Sequence, residues 1–402
     1  MTQTKLQTSS LLKNYSRYPI EFTHGKGALL FDKNGNEYLD FLSGIAVTSF
    51  GHCHPKIVDA VKEQTENLWH VSNLFESSGQ EKLAASLTDK TGLDKVFFCN
   101  SGTEANEAAI KFARKWDGER STIITAINSF HGRTMGSLAA SGQYKLWQGF
   151  APLCPGFKYV PYNDTEAIEY SITKDVVAIM VEPIQGEGGI MVPSEDYFAR
   201  LRNICDKQNL LLIIDEVQAG IGRTGKYFAY QWSEIKPDII TSAKGIANGL
   251  PLGAVICNDK VAEKITPGSH GSTFGGNPIA VAAANKVMDL LDEDCIKKIE
   301  MNGILIKEKI KALNSSIIKE VRGKGLMLGI EFKDGFSAKT IASKLLDNKI
   351  IVGTSGEQVL RLLPPFIIDE QQIKLFINKF REIVKLHEFI SATNSYLEEN
   401  KN

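Results

Sequence analysis

The chain contains two patterns of apolar positions: short continuous runs and helically spaced positions. Four short, continuous apolar runs are typical of strands buried on both faces; they lie at 122–125, 176–181, 210–214 and 238–243. Two intervening segments, 103–115 and 194–208, have the spacing of amphipathic helices. Strands that alternate with helices predict an α/β fold with a mostly parallel central sheet.

The two ends of the chain follow another pattern. Apolar runs at 28–31 and 37–41 flank Asn34-Gly35, a pair that favours a hairpin turn. The C-terminal part combines strand-like and helical segments, with strands at 326–332 and 359–363, a long helical stretch from Asn277-Pro278 towards residue 314, and a final helix at 369–388. We therefore predict a large domain at 51–305 and a smaller α+β domain that is built from the N-terminal segment 1–50 and from 306–402.

Composition excludes several classes of function. The 402 residues are 43% hydrophobic and 23% charged, with a formal net charge of -1, so no global field attracts nucleic acid or a membrane surface. No stretch approaches the ~18 apolar residues of a membrane span, and the first residues lack the layout of a signal peptide. The six cysteines are scattered, as in proteins with reduced thiols. We predict a cytoplasmic protein without a nucleic-acid or membrane partner.

Two charged residues end two of the apolar runs. The run 210–214 ends at Asp215 and the run 238–243 ends at Lys244. In a parallel sheet both residues would face the crevice beyond the carboxyl ends of the strands. A lysine that forms a Schiff base and an acid that pairs with a ring nitrogen together suit a pyridine-aldehyde cofactor. This pair suggests an enzyme.

Two loops after strands could bind the rest of such a cofactor. At 100–104, Gly102 permits close approach of a phosphate to a helix N-terminus, although Ser101 and Glu104 also match a capping box that needs no ligand. At 129–134, Phe130 could stack on a flat ring and Arg133 could hold a carboxylate, although each could equally be structural.

Two further loops are rich in glycine. Glu182 and Glu187 follow a buried run and could be an acid/base pair or belong to a solvated loop, and the spacing does not say which acid acts. The segment 271–278 offers the hydroxyls of Ser272 and Thr273 for a phosphate, or a tight turn before a helix.

Two other patterns favour different chemistry. The segment 220–225 matches the G-x-G-x-x-G motif of dinucleotide-dependent oxidoreductases, but no helix starts directly after the strand, and Asp238 precedes a strand where a ribose-binding acid would follow one. The pair His52 and His54 has no third ligand at a suitable spacing, so we predict no metal site.

Taken together, the motifs resemble the class III (ornithine-type) pyridoxal-phosphate aminotransferases of fold type I. The resemblance extends in order over nearly the whole chain, from Gly51 to Arg361. Its most specific parts are the segments 100–107, 130–134, 213–218 and 267–278. It implies a large domain with a mostly parallel sheet, a smaller domain from both termini, pyridoxal 5'-phosphate as cofactor, and a homodimer with shared active sites.

The resemblance also implies roles for individual residues. Lys244 would carry the cofactor and move a proton, Asp215 would keep the pyridine nitrogen protonated, and Gln218 would contact the phenolic oxygen. The full set of implied cofactor-binding residues is Ser101, Gly102, Thr103, Phe130, Asp215, Glu216, Val217, Gln218, Lys244 and Thr273. Thr273, with Ser272, would come from the neighbouring subunit.

At the substrate end, the resemblance implies that Arg133 and Arg361 bind carboxylates. Glu187 would pair with Arg361 whenever the amino donor is bound. Ile45 occupies the position at which ornithine-specific relatives carry a tyrosine, and an apolar side chain there fits an acylated amine, because burying an unpaired ammonium is costly. It also fits 4-aminobutyrate-type donors, so Ile45 argues against ornithine without singling out acetylornithine.

The predicted reaction is transfer of the δ-amino group of N2-acetyl-L-ornithine to 2-oxoglutarate, which yields glutamate, in arginine biosynthesis. Succinyl-diaminopimelate, succinylornithine and 4-aminobutyrate are the alternative donors. Two more distant alternatives are a dinucleotide-dependent oxidoreductase and a protein that binds the cofactor without turnover.

Overall fold

The computed structural model describes the backbone of residues 10–399, and their side chains except at 392 and 394–399. Its strands, in chain order, are β1 (Phe22–Lys26), β2 (Leu29–Asp32), β3 (Glu37–Asp40), β4 (Lys95–Cys99), β5 (Thr122–Ala126), β6 (Phe157–Val160), β7 (Val176–Val181), β8 (Leu211–Asp215), β9 (Ile239–Ser242), β10 (Gly253–Cys257), β11 (Ile318–Lys324), β12 (Met327–Phe332), β13 (Ile350–Ile351), β14 (Gly353–Ser355) and β15 (Val359–Leu362).

The α-helices follow the same order along the chain. They are α1 (Pro55–Asn67), α2 (Ser78–Thr91), α3 (Gly102–Asp117), α4 (Met135–Ala140), α5 (Tyr144–Trp147), α6 (Thr165–Ser171), α7 (Tyr197–Gln208), α8 (Asp259–Ala262), α9 (Pro278–Leu290), α10 (Glu293–Lys311), α11 (Ala338–Asp347) and α12 (Glu370–Glu399). Two short 3-10 helices lie at Ala229–Ser233 and Lys244–Ala247.

The central sheet has seven strands in the order β4-β10-β9-β8-β7-β5-β6. All neighbouring pairs are parallel except the two that involve β10, which runs antiparallel to β4 and β9. The connection from β9 to β10 spans only 243–252, too short for the crossover helix that a parallel return requires. The predicted mostly parallel α/β sheet is confirmed.

Alternate side chains of the same central strand enter two separate cores. Ile179 and Leu212 belong to one hydrophobic cluster, whereas Met180 and Ile213 belong to another on the opposite face. All four are completely buried. A strand that is covered on both faces has no polar side, which explains the continuous apolar runs in the sequence.

Two four-stranded sheets, β1-β2-β3-β13 and β11-β12-β15-β14, lie outside the central sheet. In the first, β13 pairs in parallel with β3, so segments from both ends of the chain share one sheet. Residues 1–9 and 400–402 of the predicted terminal segments lie outside the described residues. The boundaries 1–50, 51–305 and 306–402 stay a prediction.

Two local predictions differ from the structure. The helical stretch after Asn277 divides into α9 and α10, because the Asp292 carboxylate accepts a hydrogen bond from the Cys295 N–H (2.8 Å) and starts a second helix. The final helix, α12, continues to Glu399. The predicted hairpin is confirmed, because β2 and β3 pair antiparallel, and Gly35 in its turn has a positive φ (82°).

A left-handed turn follows β3. Four successive residues, Ser43–Ala46, have φ angles of 51°, 61°, 68° and 61°, and only the second is glycine. The left-handed conformation costs roughly 1–2 kcal/mol for each residue with a side chain, so surrounding contacts must hold this turn.

Candidate active site

A cavity of about 380 Å³ opens at the carboxyl edge of the central sheet. The ends of β4, β8 and β9 and the segment after β5 bring their loops together there, as expected for a parallel sheet. The lining residues are Val47, Asn100, Ser101, Gly102, Thr103, Asn106, Phe130, His131, Gly132, Arg133, Glu182, Asp215, Val217, Gln218, Ala243, Lys244, Gly249, Leu250, Pro251 and Leu252.

Asp215 is held rigidly at the end of β8. Its Oδ2 accepts hydrogen bonds from Asn106 Nδ2 and from His131 Nδ1, each at 2.7 Å, and its Oδ1 accepts one from the Val217 N–H at 3.0 Å. The Asp215 side chain is 3% exposed. A buried carboxylate with this support keeps its orientation, which suits a fixed partner such as a ring N–H.

Lys244 follows β9 and has a positive φ of 50°. Burial lowers the pKa of its amine to about 8, although Glu187 and Asp215 oppose this shift. An amine with such a pKa is partly neutral near physiological pH and can attack an aldehyde.

The N-terminus of α3 forms another wall of the cavity. Among the described residues, the backbone N–H groups of Gly102 and Thr103 have no hydrogen-bond acceptor. A Cβ on Gly102 would lie 2.5 Å from Val217 Cγ1, so this position has no room for a side chain. Free N–H groups at a helix start fit a phosphate, so the site satisfies this requirement of pyridoxal phosphate.

Phe130 and Arg133 both line the cavity. The guanidinium carbon of the exposed Arg133 lies 5.6 Å from the centroid of the Phe130 ring. Glu182 fixes this loop, because its Oε2 accepts a hydrogen bond from the Phe130 N–H at 3.0 Å and its Oε1 accepts one from the Gly186 N–H at 3.1 Å. Burial raises the pKa of Glu182 to about 7.

The substrate end contains a buried ion pair. Arg361 donates a short hydrogen bond to Glu187 and a longer one, 3.3 Å, to Gln218 Oε1. Burial opposes ionisation of Glu187, but the charge and hydrogen bond of Arg361 hold its pKa below the ordinary value. The Arg361 Nε is buried without an acceptor among the described residues, so this guanidinium has capacity for another ligand.

Apart from Glu216, five of the predicted site residues are not among those that line this cavity: Ile45, Ser272, Thr273 and the pair Glu187 and Arg361, of which Arg361 contacts the lining residue Gln218. Ile45 is 37% exposed, and Val47 lines the cavity instead. Ser272 accepts a hydrogen bond from Asn100 Nδ2 (3.1 Å) at the rim, and Thr273 is exposed beside it. Of the remaining predicted residues, Glu216 points away: its carboxylate accepts hydrogen bonds from the N–H groups of Ala229 (3.0 Å) and Tyr230 (2.8 Å).

The sequence alone did not assign Asn106, His131 or Val47 to the site, and it left the role of Glu182 open. Asn106 lies one helical turn after Gly102 and Thr103, so its spacing along α3 was a usable signal. His131 stands next to Phe130 in the same motif. Nothing in the sequence around Val47 indicates that it faces the lysine.

The competing patterns have structural explanations. In the 220–225 motif, a Cβ on Gly220 would lie 2.8 Å from the Glu216 carbonyl oxygen, and one on Gly222 would lie 2.5 Å from Leu291 Cδ1. Asp238 accepts hydrogen bonds from Arg202, the Leu212 N–H and Asn258, each at 2.8 Å. The glycines are therefore required by packing, and Asp238 is engaged within the fold.

The two histidines of the pair have different partners. His52 Nε2 lies 2.7 Å from Asp40 Oδ2, and the His54 ring packs against Phe50. Within residues 10–399, no three His, Cys, Asp or Glu side chains are grouped so as to hold a metal ion. The same described part contains no helix with the length and hydropathy of a membrane span.

Comparison with protein families identifies the chain. The family model for class-III aminotransferases matches residues 11–384. The chain belongs to this family. It is therefore a transaminase of the pyridoxal-phosphate-dependent kind, and the predictions of family, fold and cofactor are confirmed.

Individual class-III relatives are similar over almost their full length. The acetylornithine aminotransferase of Methanocaldococcus jannaschii is 46% identical over 381 residues, which cover 92% of this chain and 95% of the relative. The solved N-acetylornithine aminotransferase of Stenotrophomonas maltophilia has a TM-score of 0.82 and 34% identity, with 94% of this chain and 98% of that chain covered.

A third relative is known with its cofactor. The ornithine aminotransferase of Toxoplasma gondii, in a structure described as having partial occupancy of pyridoxal phosphate at the active site, has a TM-score of 0.90 and 34% identity. The match covers 94% of this chain and 93% of that chain.

Proposed function

We propose that this aminotransferase moves the δ-amino group of N2-acetyl-L-ornithine to 2-oxoglutarate, which produces glutamate, as a step of arginine biosynthesis. The observation that carries the choice of donor is the 46% identity, over 92% of the chain, to a relative named acetylornithine aminotransferase. The apolar Ile45 belongs to the turn before Val47, which lines the cavity, and an apolar side chain there agrees with an acylated or 4-aminobutyrate-type donor better than with ornithine.

In this proposal, opposite sides of the cavity hold different parts of the cofactor. Gly102 and Thr103 would bind the phosphate, with Ser101 beside them, and Phe130 and Val217 would contact the ring. When bound, pyridoxal phosphate supplies an electron sink for the carbon that loses its proton. Glu216 would support the segment from behind rather than contact the ligand.

The residues of the chain perform the other tasks. Lys244 would hold the cofactor's aldehyde through its neutral amine, and the same amine would carry the proton to and from the reacting carbon. Asp215, fixed by Asn106 and His131, keeps a proton on the ring nitrogen. Gln218 contributes its amide to the phenolic oxygen.

The two arginines would bind carboxylates of different substrates. Arg361 is paired with Glu187 in the structure, a state that suits a donor without a carboxylate at that end. Glutamate would displace Glu187 and occupy Arg361. Arg133, exposed at the other side, would bind the α-carboxylate of the acylated donor.

Side-by-side kinetics test the proposed donor. We expect kcat/KM for N2-acetylornithine to exceed the values for succinyl-diaminopimelate, succinylornithine, 4-aminobutyrate and ornithine. A poor value for acetylornithine would remove it as the substrate. A cofactor absorbance band that does not shift on addition of glutamate would instead support a protein that binds the cofactor without turnover.

We propose further that the enzyme is a homodimer in which Ser272 and Thr273 reach the partner's site. Large apolar side chains are exposed on one surface next to these residues: Leu68, Trp69, Leu74, Phe75 and Phe274 are 46%, 66%, 88%, 68% and 61% exposed. Hydrogen bonds of Asn73 and Asn277 connect the two segments that carry them. Such a patch supports association with a second copy.

The dimer is tested by replacing Phe75, which is not among the residues that line the cavity. Phe75→Asp should convert the protein to a monomer in light scattering and abolish most of the activity. The exposed Tyr170, which is 94% exposed on α6, provides the control, since Tyr170→Asp should change neither property. A monomeric Phe75→Asp protein with full activity would contradict shared active sites.

Location and domain division also remain proposals. We propose a cytoplasmic protein, in agreement with its scattered, unpaired cysteines. We propose domain boundaries near 50 and 305. Cell fractionation tests the location, and limited proteolysis tests the domain boundaries.

A further inference from the structure

The left-handed turn Ser43–Ala46 packs directly on the loop that carries the active-site lysine. A Cβ on Gly245 would lie 2.9 Å from Ser49 Oγ and 3.6 Å from the Ala46 carbonyl oxygen. Val47, immediately after the turn, lines the cavity. The position of the turn therefore affects both the shape of the cavity and the placement of Lys244.

Polar contacts hold both ends of the turn. Before it, the Asp40 Oδ1 accepts hydrogen bonds from the N–H groups of Leu42 and Ser43, each at 2.8 Å. After it, Asn248 accepts from the Phe50 N–H at 2.7 Å and donates to the Gly51 carbonyl at 3.0 Å. These hydrogen bonds hold the turn in a backbone conformation that is unfavourable by itself.

Arg223, from the glycine-rich segment 220–225, supplies a third contact from the interior. It is 1% exposed and forms no ion pair with a carboxylate among the described residues. Its guanidinium donates to the carbonyls of Pro364 (2.6 Å) and Leu326 (3.2 Å) and to Ser49 Oγ (3.0 Å). A fully buried arginine with only neutral acceptors is costly, which indicates a role in geometry rather than in net stability.

Ser49 connects this arginine to the turn. Its hydroxyl accepts from Arg223 and donates to the Ala46 carbonyl at 3.4 Å. We propose that Arg223, acting through Ser49, is a positioning residue that fixes the left-handed turn against the Lys244 loop and thereby sets which amino donors the site accepts. Only the kinetic part of its test rests on the proposed function.

Hydrogen exchange of the holoenzyme tests the positioning directly. The amides of Ile45, Ala46, Val47 and Thr48 donate to carbonyls within the turn. In Ser49→Ala and in Arg223→Lys, these amides should exchange about tenfold faster, because the turn opens locally more often. Ser49→Ala removes only a hydroxyl, so it keeps the test intact even where Arg223→Lys fails to fold.

Arg202 provides a matched control. It is partly buried, pairs with the carboxylates of Asp206 (2.9 Å) and Asp238 (2.8 Å) and donates to a carbonyl. Asp238 precedes β9, so Arg202 lies at the edge of the sheet opposite the cavity. Arg202→Lys should leave exchange in the turn unchanged. Equal acceleration in this control would mean that general destabilisation explains the effect and would overturn the proposal.

Donor selectivity is the second measurement. The ratio of kcat/KM for N2-acetylornithine to that for ornithine should fall about tenfold in Ser49→Ala, in Arg223→Lys and in the double variant, because both residues act through one contact. It should stay unchanged in Arg202→Lys. An unchanged ratio or unchanged exchange in Ser49→Ala overturns the proposal, whereas failure of the wild-type enzyme to use acetylornithine overturns only the proposed function.

Discussion

The two ends of the active site are built on different principles. At the cofactor end, Asp215 is engaged by three donors within 3.0 Å, and these come from a helix, a strand-end loop and its own loop. At the substrate end, Arg361 has one carboxylate partner, Glu187, on a loop that contains Gly186, Gly188 and Gly189. In the proposed function, one end would be fixed in advance for the cofactor, and the other would exchange partners between two substrates.

The largest expected effect is at the fixed end. Lys244→Ala should reduce turnover by about a thousandfold or more, because it removes both the nucleophile and the proton carrier. Initial rates with acetylornithine and 2-oxoglutarate measure the loss. Circular dichroism should show that the variant is folded, and near wild-type turnover in a folded variant would refute the proposed mechanism.

A second prediction concerns the protonation of the same residue. Since the pKa of Lys244 is lowered to about 8, the neutral fraction of its amine falls roughly tenfold for each pH unit below that value. The rate at which cofactor-free protein binds pyridoxal phosphate covalently should therefore rise with pH and level off above about pH 8. Stopped-flow absorbance between pH 6 and 10 measures it, and a rate that still rises roughly tenfold per pH unit up to pH 10 would show an unperturbed lysine.

The smallest expected effect is at the exchangeable end. Glu187→Gln should lower kcat/KM for the amino donor by about tenfold, because Arg361 is then left buried without a charged partner. The KM for 2-oxoglutarate should stay equal or fall, since its carboxylate no longer displaces Glu187. Half-reaction kinetics separate the two substrates, and an equal loss for both would mean that the pair does not exchange.

Glu187→Gln also tests the predicted protonation of Lys244. Glu187 favours the protonated form of Lys244. Glu187→Gln should therefore move the midpoint of covalent cofactor binding to lower pH, and a shift in the opposite direction would contradict the electrostatic coupling between the two ends.

The fixed end was largely predictable from sequence for a physical reason. Asp215 and Lys244 each end a continuous apolar run, and strand ends in a parallel sheet meet at one edge. The local sequence pattern is therefore sufficient to predict that Asp215 and Lys244 lie close together. The same holds for Gly102 and Thr103, because a strand followed by a helix start is also a local feature.

Contacts between segments that are distant in sequence could not be predicted in this way. The support of Asp215 by Asn106 and His131 joins residues 109 and 84 positions apart. Arg223 reaches Ser49 across 174 positions, and nothing in the local sequence of the segment 220–225 indicates this contact. The left-handed turn is likewise absent from the pattern of apolar residues, because tertiary contacts impose it against local preference.

Ile45 has a consequence for redesign of the enzyme. A β-branched residue at φ 68° is in an unfavourable backbone region, so glycine or asparagine at this position would relax the chain as well as change the turn that precedes the cavity-lining Val47. Any library that varies this position selects for backbone relief and for ligand fit at the same time. Variants that gain thermal tolerance there can lose discrimination, and the two traits would have to be screened separately.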